Sequence, residues 1–405
     1  MAPLRYAAAL VLALFSAAPA PTCASDNGLG LTPPMGWNSW NHFACNGLNE
    51  TIIHETAAAL VSLRLDQLGY VYINLDDCWH DISRNASGYL QADEHKFPSG
   101  MASLSAHLHS MGLRFGLYSD AGLFTCEGRP GSLGFETRDA RQFVHEWQID
   151  YLKYDNCFDV ALPVQWRYQR MYKALNATGR PVFWSLCDWG VDDPATWAPA
   201  IGNAWRTTYD IRPTWQKITE ILDQNDKWHA QAGPGGWNDP DILEVGEGQL
   251  SDAEQRAHFT LWCLIKAPLL LGNDLRHVPA NVLDIITNKE LIAWNQDALG
   301  QQGYKRWSSV GINAEDSEDD DQSLQVWAGD LSAGRVAVVL LNRSQQPQTI
   351  TARWSDIGYT AKAASVRDVW KHQDLGVYRD QFAAMVNSHD VVAMELSPTD
   401  EALKN

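Results

Sequence analysis

The segment Tyr151–Cys157, with the sequence YLKYDNC, places a cation and a carboxylate at the end of a hydrophobic run. This run predicts a strand, on which positions two apart face the same side. We therefore expect Lys153 and Asp155 to face one space. For an isolated pair of this kind, a structural ion pair is the more economical explanation. The chemical interpretation gains weight only because similar carboxylates recur after other predicted strands.

The polar residues that follow the predicted strands are mostly acids. In a parallel barrel, the carboxyl ends of the strands share one face and carry the chemistry. No His lies at these ends and no G-x-S-x-G motif occurs, which disfavours a Ser–His hydrolase. Acids flanked by Trp favour glycoside hydrolysis, in which two carboxylates divide the roles. The set is Asp76, Asp77, Tyr118, Asp120, Lys153, Asp155, Cys187, Asp188, Arg206, Asp210, Asp239 and Asp241.

Asp155 and Asp210 are the candidates for that carboxylate pair. A cation such as Lys153 would keep Asp155 ionised, as a nucleophile requires. Asp210 follows WRTTY, and apolar surroundings would let it hold a proton as a general acid must. Arg206 would oppose this if it lies close. Asp76 and Asp77 suit a metal ion as well as sugar hydroxyls, but the sequence shows no His/Cys cluster with zinc spacing, and we predict neither metal nor cofactor.

The elements that must position these residues alternate between short apolar strands and helices. About eight such alternations run from Asn27 to Leu271, which predicts a parallel (β/α)8 TIM barrel of the α/β class. From about Lys305 the pattern changes to strands joined by turns, which predicts a small antiparallel β domain. We expect the barrel over residues 25–304 and the second domain over 305–405. The acidic run Glu315–Asp321 is expected to be a solvated loop, because it lacks the spacing and Gly of an EF-hand calcium loop.

The first residues have the composition of a secretory signal peptide, predicted over residues 1–24. Arg5 precedes an apolar run, and small residues surround Ala20 and Ala24. The net charge of −18 argues against nucleic acid and anionic membrane as partners. We expect the secretory pathway, with an extracellular, vacuolar or lysosomal destination. Glycosylation is expected at some of the sequons at Asn49, Asn85, Asn176 and Asn342.

Eight segments resemble, in order, the motifs of the glycoside hydrolase family 27 α-galactosidases, or melibiases, in their plant and fungal form. They are NGLGLTPPMGWNSWNHFAC, INLDDCW, FGLYSDAG, YLKYDNC, SLCDWG, WRTTYDI, GPGGWNDPDILEVG and KAPLLLGNDL. The resemblance runs from about Asn27 to the C-terminal β domain. It implies a retaining exo-α-galactosidase, built on a (β/α)8 barrel with a C-terminal antiparallel β-sandwich. Such an enzyme removes terminal α-linked D-galactose from oligosaccharides, polysaccharides or glycoconjugates by double displacement.

The resemblance also implies a role for each residue. Asp155 matches the nucleophile and Asp210 the acid/base. The implied substrate-binding residues are Trp40, Asp76, Asp77, Tyr118, Lys153, Cys187, Trp189, Arg206 and Asp241, with Trp40 walling the sugar and the two adjacent acids binding O4 and O6. The implied disulfides join Cys45 to Cys78 and Cys126 to Cys157, which leaves Cys187, in the pocket, and Cys263 as thiols.

Two positions bear on the choice among related activities. Trp189 is bulky where members that accept N-acetylgalactosamine carry smaller residues, and Asp76 is the shorter acid where arabinopyranose-preferring members carry Glu. Both favour galactose over the alternatives, an α-N-acetylgalactosaminidase, a β-L-arabinopyranosidase or an inactive galactose-binding protein. Three residues depart from the family pattern: Tyr209 replaces a common Gly, Ile242 a Met and Asp188 a Glu. Tyr209 leaves the leaving-group preference open.

Overall fold

The computed structural model describes residues 27–311 and 322–399. The predicted signal peptide and the acidic run Glu315–Asp321 lie outside the described residues. The first part of the chain forms an eight-stranded parallel sheet. Its strands are β1 Met35–Asn38, β2 Tyr72–Asn74, β3 Arg114–Asp120, β4 Tyr151–Asp155, β5 Phe183–Cys187, β6 Ala204–Arg206, β7 Trp237–Asp239 and β8 Leu269–Leu271.

This sheet curls into a barrel. β1 pairs in parallel with both β2 and β8, and the remaining strands follow in sequence order to β7. The circle closes between β7 and β8, where the pairing is reduced to one parallel bridge from Leu243, just after β7, to Leu271. The predicted (β/α)8 fold is confirmed, with its seam at this bridge.

The helices lie between and after the barrel strands. α7 begins with a capping box in which the Ser251 hydroxyl accepts from the Glu254 amide and the Glu254 carboxylate accepts from the Ser251 amide. Two 3-10 turns, Pro194–Thr196 and Ala198–Ala200, connect β5 to β6. The helices are α1 Trp40–Gly47, α2 Glu50–Ser62, α3 Gly100–Ser110, α4 Glu136–Arg141, α5 Val164–Asn176, α6 Trp215–Asp226, α7 Asp252–Leu264, α8 Ala280–Ile286 and α9 Lys289–Asn295.

The barrel interior changes from apolar to charged along β4. Near the amino end, the Tyr151 ring stacks on Phe183 with centroids 5.0 Å apart and meets Tyr72 edge-on at 5.4 Å. Lys153 and Asp155 follow on the same side and border the cavity above this layer. The expectation that both face one space is therefore met. The aromatic layer forms an apolar floor under the charged side chains.

The second part of the chain forms an antiparallel sandwich, as predicted. A six-stranded sheet faces a two-stranded sheet, and apolar residues such as Val338, Ile350 and Phe382 fill the space between them. The strands are β9 Tyr304–Ser308, β10 Leu324–Asp330, β11 Val336–Asn342, β12 Gln348–Arg353, β13 Ala363–Asp368, β14 Gln373–Arg379, β15 Gln381–Val386 and β16 Asp390–Pro398.

The sandwich packs against the barrel helices that follow β6, β7 and β8. The Arg256 guanidinium on α7 lies 2.9 Å from the Asp390 carboxylate, and the Trp370 indole donates to the Thr260 hydroxyl at 3.0 Å. None of the described helices has the length and apolar character needed to cross a bilayer.

Candidate active site

One cavity of about 470 Å³ opens at the carboxyl ends of the barrel strands. Both predicted catalytic acids border it, together with eight of the nine residues predicted to bind substrate. Its lining consists of Trp40, Asn41, Asp76, Asp77, Tyr118, Cys126, Lys153, Asp155, Trp189, Arg206, Asp210, Ile211, Asp241 and Ile242.

Lys153 pairs with Asp76. Its ammonium lies 2.8 Å from the Asp76 carboxylate and 5.3 Å from the centroid of the Tyr118 ring. Burial alone would lower the pKa of Lys153, but the surrounding carboxylates, Asp76 foremost, raise it well above its usual range. The contact links the end of β4 to the end of β2 across β3. The proposed substrate ligand Asp76 is thus held in place by charge, and by the Asn38 amide, which donates to the same oxygen at 2.9 Å.

Asp155 lies deep in the cavity with 5 % of its surface exposed. One carboxylate oxygen accepts from the Tyr118 hydroxyl at 3.0 Å and the other from the Asn156 amide at 3.0 Å. Burial raises the pKa of Asp155 to about 6, although Lys153 acts to lower it. Burial therefore outweighs the nearby cation that was expected to keep this carboxyl ionised.

Asp210 stands at the mouth of the cavity, with 66 % of its side chain exposed. The Arg206 guanidinium bridges it to Asp241, at 3.0 Å and 2.9 Å respectively. Partial desolvation by the neighbouring protein would raise the pKa of Asp210, but Arg206 and Lys153 bring it below its ordinary value. The sequence-based expectation of an apolar environment around Asp210 is therefore wrong, and the reservation about Arg206 is correct.

Asp77 is fixed by the loop after β3. It accepts from the Thr125 hydroxyl at 2.9 Å and from the Glu127 amide at 3.0 Å. These two residues flank Cys126, which forms a disulfide with Cys157, two positions beyond Asp155. A second disulfide joins Cys45 to Cys78, so the structure contains both bridges that the resemblance implied. Both disulfides tie strand-end loops to neighbouring parts of the cavity rim.

Cys187 is a buried thiol, as is Cys263. Cys187 does not border the cavity and lies behind Arg206, whose guanidinium approaches the sulfur at 3.5 Å. Burial raises the pKa of the Cys187 thiol well above its usual range, so it stays protonated. Its position suits support of Arg206 better than direct contact with a sugar.

Sequence reasoning missed two asparagines at the site. Asn38 ends β1 and binds Asp76, while its side-chain oxygen accepts from the Trp40 amide at 2.8 Å. Asn41 borders the cavity one residue beyond Trp40. The rule that selected strand-end acids would have found Asn38, had it been applied to amides as well.

The described residues offer one acidic group with metal-like spacing at the site, formed by Asp120, Asp155, Cys126 and Cys157. Its two sulfurs are joined in a disulfide and cannot act as thiolate ligands. The Asp120 oxygens already accept from the Gly122 and Cys157 amides. This donor set suits a hydrogen-bonded support for the β4 end and does not fit a metal ion.

Comparisons with known proteins agree with this geometry. Residues 32–297 match the family model of alpha galactosidase A, and residues 321–396 match that of the alpha galactosidase C-terminal beta sandwich domain. Alpha-galactosidase 3 of Arabidopsis thaliana is 53 % identical over 92 % of this chain and 83 % of its own length. Alpha-galactosidase I of Mortierella vinacea superposes with a TM-score of 0.86 at 36 % identity, covering 92 % of this chain and 98 % of that one. The Saccharomyces cerevisiae enzyme solved with raffinose gives 0.85 at 33 % identity, covering 93 % and 100 %.

Proposed function

The chain belongs to the α-galactosidase A family and is a glycoside hydrolase that acts on α-galactosides, and we propose that it does so by double displacement with Asp155 as nucleophile and Asp210 as acid/base. The observation that carries this proposal is the placement of the two acids. Asp155 lies at the buried end of the cavity and Asp210 at its open mouth. We therefore place a terminal galactose between them, with its leaving group directed to solvent past Asp210.

In the first step, Asp155 attacks the anomeric carbon while Asp210 gives its proton to the departing oxygen. The product is a β-linked galactosyl ester on Asp155. In the second step, Asp210 takes a proton from water, which attacks the same carbon and releases galactose with the original anomeric configuration. The Tyr118 hydroxyl, 3.0 Å from Asp155, orients the attacking carboxylate.

Substrate binding moves the proton that the two acids hold onto Asp210, where the first step requires it. In the free site, burial favours the proton on Asp155, while Arg206 and Lys153 act to keep Asp210 ionised. A leaving group over Asp210 removes water from that carboxyl and raises its pKa. When the two acids together hold one proton, that proton therefore moves from Asp155 to Asp210 as the complex forms.

The remaining lining side chains supply recognition of the sugar. Asp76 and Asp77 bind hydroxyls of galactose, and Trp40 walls the ring. Trp189 borders the cavity, and by its bulk it should exclude the acetamide of N-acetylgalactosamine. The substrate is therefore a galactoside of the class represented by raffinose, which was bound in the yeast relative. The two disulfides suit an oxidising compartment of the secretory pathway.

Azide rescue tests the two roles separately. Asp155→Gly should lose nearly all hydrolysis of an aryl α-galactoside, and azide should then displace the aryl group directly to give the β-galactosyl azide. Asp210→Gly should lose about 10²- to 10⁴-fold on substrates with poor leaving groups, and azide should attack the galactosyl-enzyme to give the α-galactosyl azide. Substantial turnover by Asp155→Gly without azide, or exchanged azide products, would refute the assignment.

The preference for galactose is tested by assaying the wild type in parallel on the aryl α-galactoside, the aryl α-N-acetylgalactosaminide and the aryl β-L-arabinopyranoside.

A further inference from the structure

An exposed aromatic pair stands beside the cavity mouth. Tyr209, immediately before Asp210, has 61 % of its surface exposed. Its ring lies nearly parallel to that of Trp189, with centroids 6.5 Å apart and planes inclined by 20°. Trp189 borders the cavity, whereas Tyr209 does not. The pair therefore continues the apolar wall of the cavity outward, past the acid that we assign to the leaving group.

The backbone fixes these two rings relative to each other. Trp189 has a φ of 57° and Gly190 a φ of 78°. A Cβ on Gly190 would lie 2.3 Å from the Thr207 carbonyl oxygen, so only glycine lets the loop after β5 approach the segment after β6 this closely. This contact brings Trp189 alongside Tyr209. Single exposed aromatic residues are ordinary on protein surfaces, but this pair is held together by packed backbone.

We propose that Tyr209, stacked on Trp189, forms the platform for the leaving group and selects substrates whose leaving group presents a flat apolar face. A pyranose offers its C–H face and an aryl aglycone its ring, and both can lie against an aromatic side chain. A methyl leaving group is too small to reach the ring. This inference rests on the proposed assignment of Asp210 as the acid/base, since that assignment fixes where the leaving group departs.

Three substrates and three variants test the platform. The substrates are p-nitrophenyl α-galactoside, melibiose and methyl α-galactoside. Tyr209→Ala should lower kcat/KM about 2- to 10-fold for the first two, the range of an aromatic contact, and leave the third within about 1.5-fold. Tyr209→Phe should retain most of the wild-type values, because the ring remains. Each substrate is compared with itself across variants, so intrinsic reactivity cancels.

Two controls separate this effect from general damage. Trp166→Ala removes a half-exposed aromatic ring from the outer face of α5 and should change none of the three substrates. The inhibition constant of galactose, which does not reach the platform, should be the same in wild type and Tyr209→Ala. Equal losses on all three substrates, or no loss on any, would overturn the platform while leaving the hydrolytic activity intact. If wild type itself hydrolysed no α-galactoside, the proposed function would fail instead.

Discussion

The protonation of the acid pair predicts both the pH dependence of the enzyme and its response to removal of Asp210. Under the proposed mechanism, hydrolysis requires Asp155 ionised and Asp210 protonated. Above about pH 6, the upper value set by buried Asp155, both groups are ionised and the acid is lost. Below the ordinary Asp value of 3.8, under which Asp210 titrates, both are protonated and the nucleophile is lost. The profile of kcat/KM should therefore be a bell with its maximum between these limits.

The fraction of free enzyme that carries its proton on Asp210 rather than on Asp155 follows from the pKa values of the same two groups. Arg206 and Lys153 hold the pKa of Asp210 below the ordinary value of 3.8 and burial raises that of Asp155 to about 6, so the two differ by more than about two pH units. The singly protonated free enzyme then carries its proton on Asp210 in fewer than about one molecule in 10². That fraction limits kcat/KM, which refers to the free enzyme. It does not limit kcat, because in the complex the bound substrate has already moved the proton to Asp210.

Asp210→Gly separates the two limbs. With a 2,4-dinitrophenyl α-galactoside, whose leaving group needs no acid, the alkaline limb should vanish. Activity should rise with pH to a plateau governed by Asp155 alone. Its midpoint should lie above 3.8, because burial remains, and below about 6, because the charge of Asp210 no longer raises the pKa of Asp155. Initial rates at low substrate concentration between pH 3 and pH 8 measure this. An alkaline limb that persists in Asp210→Gly would refute the reasoning.

Two further predictions concern stability. Lys153→Met leaves the buried Asp76 carboxylate without its cation and should cost about 3–5 kcal/mol of unfolding free energy. Asp76→Asn, which leaves Lys153 without its partner, should cost a similar amount, and the double variant should cost much less than the sum of the two. Additive losses in urea unfolding would contradict the pairing. Burial raises the pKa of Asp188 to about 8, so the folded state keeps a proton that the unfolded chain releases above about pH 4. The free energy of unfolding of the wild type therefore falls as pH rises from about 4 to 8. Asp188→Asn should therefore gain about 1.4 kcal/mol over wild type per pH unit in that window, and a difference independent of pH would argue against a buried, protonated carboxyl.

Strand periodicity and strand-end position were enough to find the barrel and most of the site. They could not identify ionic partners. Lys153 and Asp155 lie two residues apart on one strand, which separates their backbones by about 6.6 Å along the strand. Their side chains point side by side, so Lys153 instead meets Asp76, which comes from a different strand. The balance between burial and charge at Asp155 likewise depends on packing that no local pattern reveals.

The sandwich was predicted in outline, with some strands absent from the prediction. β14 Gln373–Arg379 is largely exposed on both sides, so its sequence carries no alternation of apolar and polar residues. Cys187 was predicted to contact the substrate from its position at the end of a strand and from the family resemblance, but it does not border the cavity. The long Arg206 side chain covers it, and a covering side chain from another strand leaves no trace in the local sequence.

The barrel seam has a consequence for how the enzyme is made. Every residue assigned to the site precedes β8, yet the barrel closes only when β8 joins β1 and the bridge to Leu243 forms. The helix before β8 is then held from outside by β16, near the end of the chain, through Arg256 and Asp390. A growing chain that does not yet include β8 thus carries all the acids on an unclosed sheet. Hydrolytic activity should therefore appear only after β8 has joined β1, which makes closure of the seam the last step in assembling a working site.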